Sequence, residues 1–386
     1  MNLFPHPARV RILRACWGLV LLTACTVRSP VPPTPIPSLT LTTPPPTNSP
    51  TIPPAPTFTM TPKPSSTPTP TETFIPTETL TPFPTNPAPD PSGMWFPEPP
   101  MLFARAAHAV VSTGSALFTL AGTGADRRPV MEVERFDGTT WTIETTLPTE
   151  EGLNAPAAVF LDGRIYLIGG FEATSNQPVA DMYVYDLTTR TWSNAAPLPN
   201  PRGGHAAVIL DGEIHIVGGG NSQRTLADHS VYDPTTNTWT ELAPLPDAKG
   251  SPAAVVFDGK LYVIGGRSGP HDFANVDIYN VTTNTWETGP SIDPRGTAGV
   301  VAYCNTLYVF GGESQARKTS LNEVLRLNLA HLVWELAPAM PTARVYARAV
   351  LLNESVYVVG GSPNPVTSHA SPGLDVVERY HSDCTE

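Results

Sequence analysis

Basic residues recur at one fixed position in this sequence, sixteen residues ahead of the first glycine of a repeated apolar run, or of its counterpart. The six positions are Arg105, Leu153, Arg202, Lys249, Arg295 and Arg344. Five are basic, and cations gathered around one axis would concentrate an anionic ligand such as a carboxylate peptide or an acidic sugar. They would instead be structural if loop carbonyls or acidic neighbours such as Asp181, Asp228 and Asp375 held them. The sequence leaves both interpretations open.

Two histidines, His108 and His205, share an equivalent position three residues after a basic one. Two imidazoles can bind a metal, but no third ligand has a suitable spacing, so we predict no metal site and no cofactor. The sequence also lacks G-x-S-x-G, H-E-x-x-H and P-loop patterns. Nothing here indicates a catalytic residue.

Six repeats must position these residues. An apolar run ending in diglycine occurs at 165–170, 214–219, 261–266, 307–312 and 356–361, after a decayed copy at 117–122. The runs are short and rich in β-branched and aromatic residues, which favours strands buried on both faces. Asp-Gly pairs at 162–163, 211–212 and 258–259 predict hairpins to a preceding strand.

Two more strands follow each run. The third strand ends in Phe136, Tyr185, Tyr232, Tyr279, Leu327 or Tyr380, and the fourth carries Trp141, Trp192, Trp239, Trp286 or Trp334. Four strands make one propeller blade. The sixth copy has no tryptophan after Tyr380, but Trp95 precedes the first copy at a similar spacing. We therefore predict an all-β, six-bladed β-propeller over residues 93–386, whose last blade takes its outer strand from around Trp95.

The diglycine followed by a separated tyrosine and tryptophan resembles the kelch repeat, in the superfamily that includes galactose oxidase. That resemblance also suggests relatives with chemistry. The oxidase relative needs copper, a Tyr–Cys crosslink and seven blades, which this sequence does not match. The bacterial sialic acid mutarotase matches in blade number, but its working Glu and Arg have no assignable counterparts here.

The N-terminus predicts export. Arg9, Arg11 and Arg14 precede a short apolar core, and the sequence L-T-A-C at 22–25 resembles a bacterial lipobox. We predict a lipoprotein signal peptide at 1–24, lipidation of Cys25, and anchoring on the outer side of a bacterial cytoplasmic membrane or on the cell surface. Residues 26–92 contain 22 prolines and 18 threonines, which predicts a disordered stalk over 25–92.

Two cysteines, Cys304 and Cys384, remain once the signal and the lipid anchor have used the others. In an exported protein they are a candidate disulfide, provided that the C-terminal tail folds back to bring the Cα atoms within about 7 Å.

The chain is acidic, with 23 Lys+Arg against 34 Asp+Glu, which argues against nucleic-acid binding. We expect a monomeric, non-catalytic module that binds a protein or glycan at its long-loop face. The alternative is a carbohydrate enzyme such as a mutarotase-like epimerase.

Overall fold

The structure is a computed structural model that describes residues 93–365, 371–382 and 384. The predicted signal peptide, Cys25 and the predicted stalk lie outside these residues. Within them, no helix is long and apolar enough to cross a bilayer.

The described chain folds into strands alone. Strand β1 (Met94–Pro97) comes first. Blade one contains β2 (Ala109–Ser112), β3 (Leu117–Leu120), β4 (Glu132–Phe136) and β5 (Trp141–Thr146). Blade two contains β7 (Ala157–Leu161), β8 (Arg164–Ile168), β10 (Met182–Asp186) and β11 (Thr191–Asn194), with β6 (Leu153–Asn154) and β9 (Phe171–Glu172) as a separate short pair. Blade three contains β12 (Ala206–Leu210), β13 (Glu213–Val217), β14 (His229–Asp233) and β15 (Thr238–Glu241).

The second half repeats this plan. Blade four contains β16 (Ala253–Phe257), β17 (Lys260–Ile264), β20 (Val276–Asn280) and β21 (Thr285–Thr288), with β18 (Arg267–Ser268) and β19 (His271–Asp272) paired in its loop. Blade five contains β22 (Gly299–Tyr303), β23 (Thr306–Phe310), β26 (Val324–Asn328) and β27 (Val333–Ala337), with β24 (Glu313–Ser314) and β25 (Thr319–Ser320) in its loop. Blade six contains β28 (Arg348–Leu352), β29 (Ser355–Val359) and β30 (Val377–His381).

The six four-stranded sheets of the described chain form a closed ring. The first strands of neighbouring blades contact each other in the cycle β2, β7, β12, β16, β22, β28 and back to β2. They therefore surround the central axis, and the later strands of each blade lie progressively further out. The prediction of a six-bladed propeller is confirmed.

Apolar side chains fill the space between neighbouring blades. One buried cluster lies at each of the six interfaces in the described structure; between blades one and two, for example, Val133 and Leu120 pack with Leu167. A four-stranded sheet cannot cover both of its faces by itself, so these contacts are where burial stabilises the fold.

Tight turns set the register of the inner hairpins. Asp162 and Gly163 both have positive φ, 49° and 75°, as the predicted two-residue turn requires. The turns at 211–212 and 258–259 have the same conformation.

The outer strand β1 completes blade six. It pairs antiparallel with β30, with Trp95 opposite Tyr380. The indole of Trp95 donates to the carbonyl of Pro338 in blade five at 2.9 Å. The five other repeat tryptophans donate in the same way to the preceding blade, at Pro99, Thr146, Ala196, Ala243 and Pro290. The prediction that the last blade is closed by the N-terminal strand is confirmed.

Candidate functional site

The five basic residues of the repeat are buried within the ring. We call each of these side chains, at the position sixteen residues before the first glycine, a strut. Arg105, Arg202, Lys249, Arg295 and Arg344 are at most 1% exposed. Each forms an ion pair with a carboxylate of its own blade: Arg105 with Glu134, Arg202 with Asp228, Lys249 with Asp277, Arg295 with Glu323, and Arg344 with Glu378. Burial lowers the pKa of Arg105, and the carboxylate of Glu134 opposes that shift.

The spacing of sixteen residues has a geometric cause. The guanidinium of Arg202 donates to the carbonyl of Gly218, the first glycine of its own blade, at 3.3 Å. Its backbone carbonyl accepts from Gly170, the second glycine of the preceding blade, at 2.8 Å. Gly169 has φ of +54°, and a Cβ there would stand 2.7 Å from the same carbonyl, so glycine is required. Each strut therefore ties two blades together.

Blade two replaces the charged strut by an apolar one. Leu153 occupies the basic position, and Tyr183 occupies the position that Glu134 and Glu378 hold in blades one and six, opposite the second residue before the first glycine. Leu153 is buried in the cluster against which Tyr183 packs. Blade two thus has no base, although Asp181 keeps the position that Asp228 and Glu323 occupy in blades three and five.

These contacts place the charges of the five basic residues inside the described ring. The candidate ligand-binding residues each contact a carboxylate and a backbone carbonyl of their own blade. The carbonyl belongs to the first glycine for Arg202, Arg295 and Arg344, to Ala121 for Arg105 and to Asn275 for Lys249. Of the acidic neighbours expected to hold them, Asp228 alone does so. Asp181 belongs to blade two, which has no base at this position, and Glu378 takes the role expected of Asp375.

Side chains close the channel on the face that carries the long loops. Phe171 and Tyr346 form a buried cluster with Ala107, Ala155 and Val345, which come from blades one, two and six. Around this mouth, backbone hydrogen bonds run from blade to blade, as from Ala155 to Ala107 at 2.7 Å. Burial raises the pKa of Tyr346 to about 12.

Below this closure the channel encloses a cavity of about 130 Å³. Its wall consists of small and apolar residues together with His205 and Arg348, and no carboxylate lines it among the described residues. Arg348 did not emerge from the sequence analysis. A signal for it exists, since the five equivalent positions hold alanine or glycine.

His108 and His205 are buried, and no other side chain of the described residues hydrogen-bonds to their ring nitrogens. His205 lies against Gly169 of blade two, and His108 lies against Gly360 of blade six. Burial, followed by the charges of Arg202 and Arg348, lowers the pKa of His205 to about 3. In the described part of the chain, no group of three or more His, Cys, Asp and Glu side chains could hold a metal.

Cys304 and Cys384 form a disulfide, with their Cα atoms 4.8 Å apart. Cys304 lies at the tip of the β22–β23 hairpin, and the tail after β30 folds back to reach it. The bond joins blade five to the end of the chain.

The long loops of blades two to five surround a groove of about 570 Å³ above the closed mouth. Segment 220–225 forms one wall, and Arg267, Gln315 and Phe171 line the rest. Arg267 is fixed by Glu313 at 2.7 Å and by the hydroxyl of Tyr346 at 2.9 Å. Arg224 is exposed, and no ion pair or side-chain hydrogen bond of its guanidinium occurs in the described structure. The sequence analysis did not identify this groove, because the loops that line it have no repeated sequence pattern.

The fold is a six-bladed kelch-type β-propeller. Three features define it: the closed ring of four-stranded sheets, the diglycines that contact the buried basic residues, and the tryptophan hydrogen bonds between blades. The family model described as "KLHDC2/KLHL20/DRC7 Kelch-repeats domain" matches residues 96–252 and 243–361. The chain belongs to this kelch-repeat family.

A solved structure titled "Structure of YjhT" has the same fold, with a TM-score of 0.63 over 72% of this chain and 95% of that one, at 15% sequence identity. Comparison with curated proteins finds no match.

Proposed function

We propose that this protein is a lipid-anchored, non-catalytic module that binds a glycan at its long-loop face. The groove at 220–225, Arg267 and Gln315 carries the proposal. Its volume of about 570 Å³ falls within the range of roughly 300–1,000 Å³ that is usual for small-ligand sites. Exposed Gln223 and Arg224 offer several hydrogen-bond donors at its edge, which suits a ligand rich in hydroxyl groups.

The channel supports a binding role over a catalytic one. Its cavity of about 130 Å³ is smaller than the usual site for a sugar-sized ligand. A sugar epimerase or mutarotase also needs a group that moves protons, and the described channel lining contains no carboxylate. His205 lines the cavity, but its ring nitrogens are buried, and burial lowers its pKa to about 3, so the imidazole is neutral.

A glycan array probed with the purified protein tests the binding role. We expect a restricted set of glycans to bind, and Arg224→Ala to weaken binding at least tenfold, about 1.4 kcal/mol. Arg164→Ala is the matched control, because Arg164 is also exposed but lies at the inner hairpin turn on the opposite face. Equal loss in both variants, or no glycan binding at all, would contradict the proposal. In the second case, peptide binding at the same face would favour a protein partner.

The anchoring proposal rests on the L-T-A-C sequence and is supported by the disulfide, which suits an oxidising compartment outside the cytoplasm. Labelled palmitate should enter the protein in a bacterial host, and Cys25→Ala should abolish labelling. Cys16→Ala is the control within the same leader. Labelling that persists in Cys25→Ala would show that the lipid is not on this cysteine.

A further inference from the structure

Arg348 differs from every equivalent residue in the channel wall. The position is the first of the innermost strand, and the six blades place Ala109, Ala157, Ala206, Ala253, Gly299 and Arg348 there. Five blades thus contribute a methyl group or less, whereas blade six contributes a full-length cation. Arg348 is the sole Asp, Glu, Lys or Arg among the described residues that line the cavity.

Among the described residues, no carboxylate forms an ion pair with Arg348. Its Nε donates to the carbonyl of His108 at 2.9 Å. Its two terminal nitrogens have no hydrogen bond or ion pair within the described residues. The five struts, in contrast, each contact a carboxylate. Burial lowers the pKa of Arg348, and burial followed by the positive charge of Arg348 lowers the pKa of His108.

A cation in a narrow, largely apolar space is costly unless an opposite charge or hydrogen-bond acceptors satisfy it. The cavity holds about 130 Å³, which is enough for several waters. That space admits an ion of a few atoms together with some water. The guanidinium offers its unused donors to such an ion, without a carboxylate in the lining to compete.

We propose that the central channel binds one small inorganic monovalent anion, of the size of chloride, bromide or nitrate, on the terminal nitrogens of Arg348. This site is separate from the loop-face groove, because the buried cluster of Phe171 and Tyr346 lies between them. The bound anion would balance the charge that blade six places at the axis.

Thermal unfolding of the full chain at constant ionic strength tests the site, with bromide replacing the bulkier gluconate. We expect Tm to rise with the logarithm of the bromide concentration above the dissociation constant, by about 2–3 °C at ten times that constant. Arg348→Met should lose this rise. Arg128→Met is the control, because the Arg128 side chain is 85% exposed and forms an ion pair with Asp126 at the surface.

A second measurement decides the case if Arg348→Met fails to fold. Crystals of the parent grown in bromide should give an anomalous peak within hydrogen-bonding distance of the Arg348 guanidinium. The proposal is overturned if the parent shows no such peak, or if Arg348→Met folds and its Tm rises with bromide as much as that of the parent.

Discussion

Blades two and six contain the same four-stranded sheet, but they obtain it in different ways. Blade two is one continuous run of chain, and its strut position is apolar, with Leu153 packed in a cluster that Tyr183 covers. Blade six joins both ends of the described domain, and its strut is the buried pair of Arg344 and Glu378. All four strands of blade two therefore come from one stretch of sequence. Blade six depends on a long-range strand pairing and on matched charges.

The largest effect should come from removing β1, the outer strand that completes blade six. A chain lacking residues 1–100 loses β1, including Trp95 and the carbonyl of Pro99 that accepts from Trp141. Truncating one large core aromatic costs about 3–5 kcal/mol, so we expect a loss of at least that size in the free energy of unfolding. Chemical denaturation measures it. A chain lacking residues 1–92 is the control and should retain full stability; equal stability of the two truncations would show that β1 does not close the ring.

Removing one partner of the charged strut should have the next largest effect. Glu378→Ala leaves Arg344 buried without its carboxylate, a change that costs about 3–5 kcal/mol at buried pairs. Tyr183→Ala is the matched change in blade two and strands no charge, so its cost should be clearly smaller. If both variants unfold at the same denaturant concentration, the two struts do not differ in the way proposed.

Acid should destabilise the protein through two buried histidines. His205 lies against Gly169 of blade two, and His108 lies against Gly360 of blade six. His205 has a pKa of about 3 in the folded protein, whereas an unfolded histidine titrates near 6.5. Between those values the unfolded state binds the extra proton, so stability is full above pH 6.5 and falls as the pH decreases. The slope is at most about 1.4 kcal/mol per pH unit for one such group.

Urea unfolding at pH 7 and pH 5 checks this slope. His205→Ala should lose less stability between the two pH values than the parent does, because it lacks the buried imidazole. The variant should fold, because alanine occupies the equivalent positions 298 and 347. His331→Ala is the control, since His331 is exposed. A parent-like slope in His205→Ala would remove this histidine as the cause.

The comparison also explains what the sequence could predict. Diglycines, Asp-Gly turns and tryptophans recur at nearly constant spacing, so the blades and the closing role of Trp95 followed from local patterns. The carboxylate partners did not follow, because a loop of variable length separates each base from its third strand. Glu378 lies 34 residues after Arg344, whereas Asp228 lies 26 after Arg202. Arg348 was not identified from the sequence, although the five equivalent positions hold alanine or glycine, and its lack of a carboxylate partner among the described residues is visible only in the three-dimensional packing.

The smallest effect should come from replacing the ion pair of blade six by the apolar residue types that blade two has at the same positions. The double variant Arg344→Leu/Glu378→Tyr places both residues at equivalent positions, since Leu153 and Arg344 each lie sixteen residues before the first glycine. Buried ion pairs pay a large desolvation cost, so replacing the whole pair by packed apolar groups is often close to neutral. We expect stability within about 1–2 kcal/mol of the parent, well above that of Glu378→Ala alone. The loss of the hydrogen bond from Thr342 to Glu378 and of the guanidinium contacts to Gly360 and Val376 accounts for a small deficit. A double variant as unstable as the single one would mean that these carbonyl contacts, rather than charge matching, hold blade six to its neighbour.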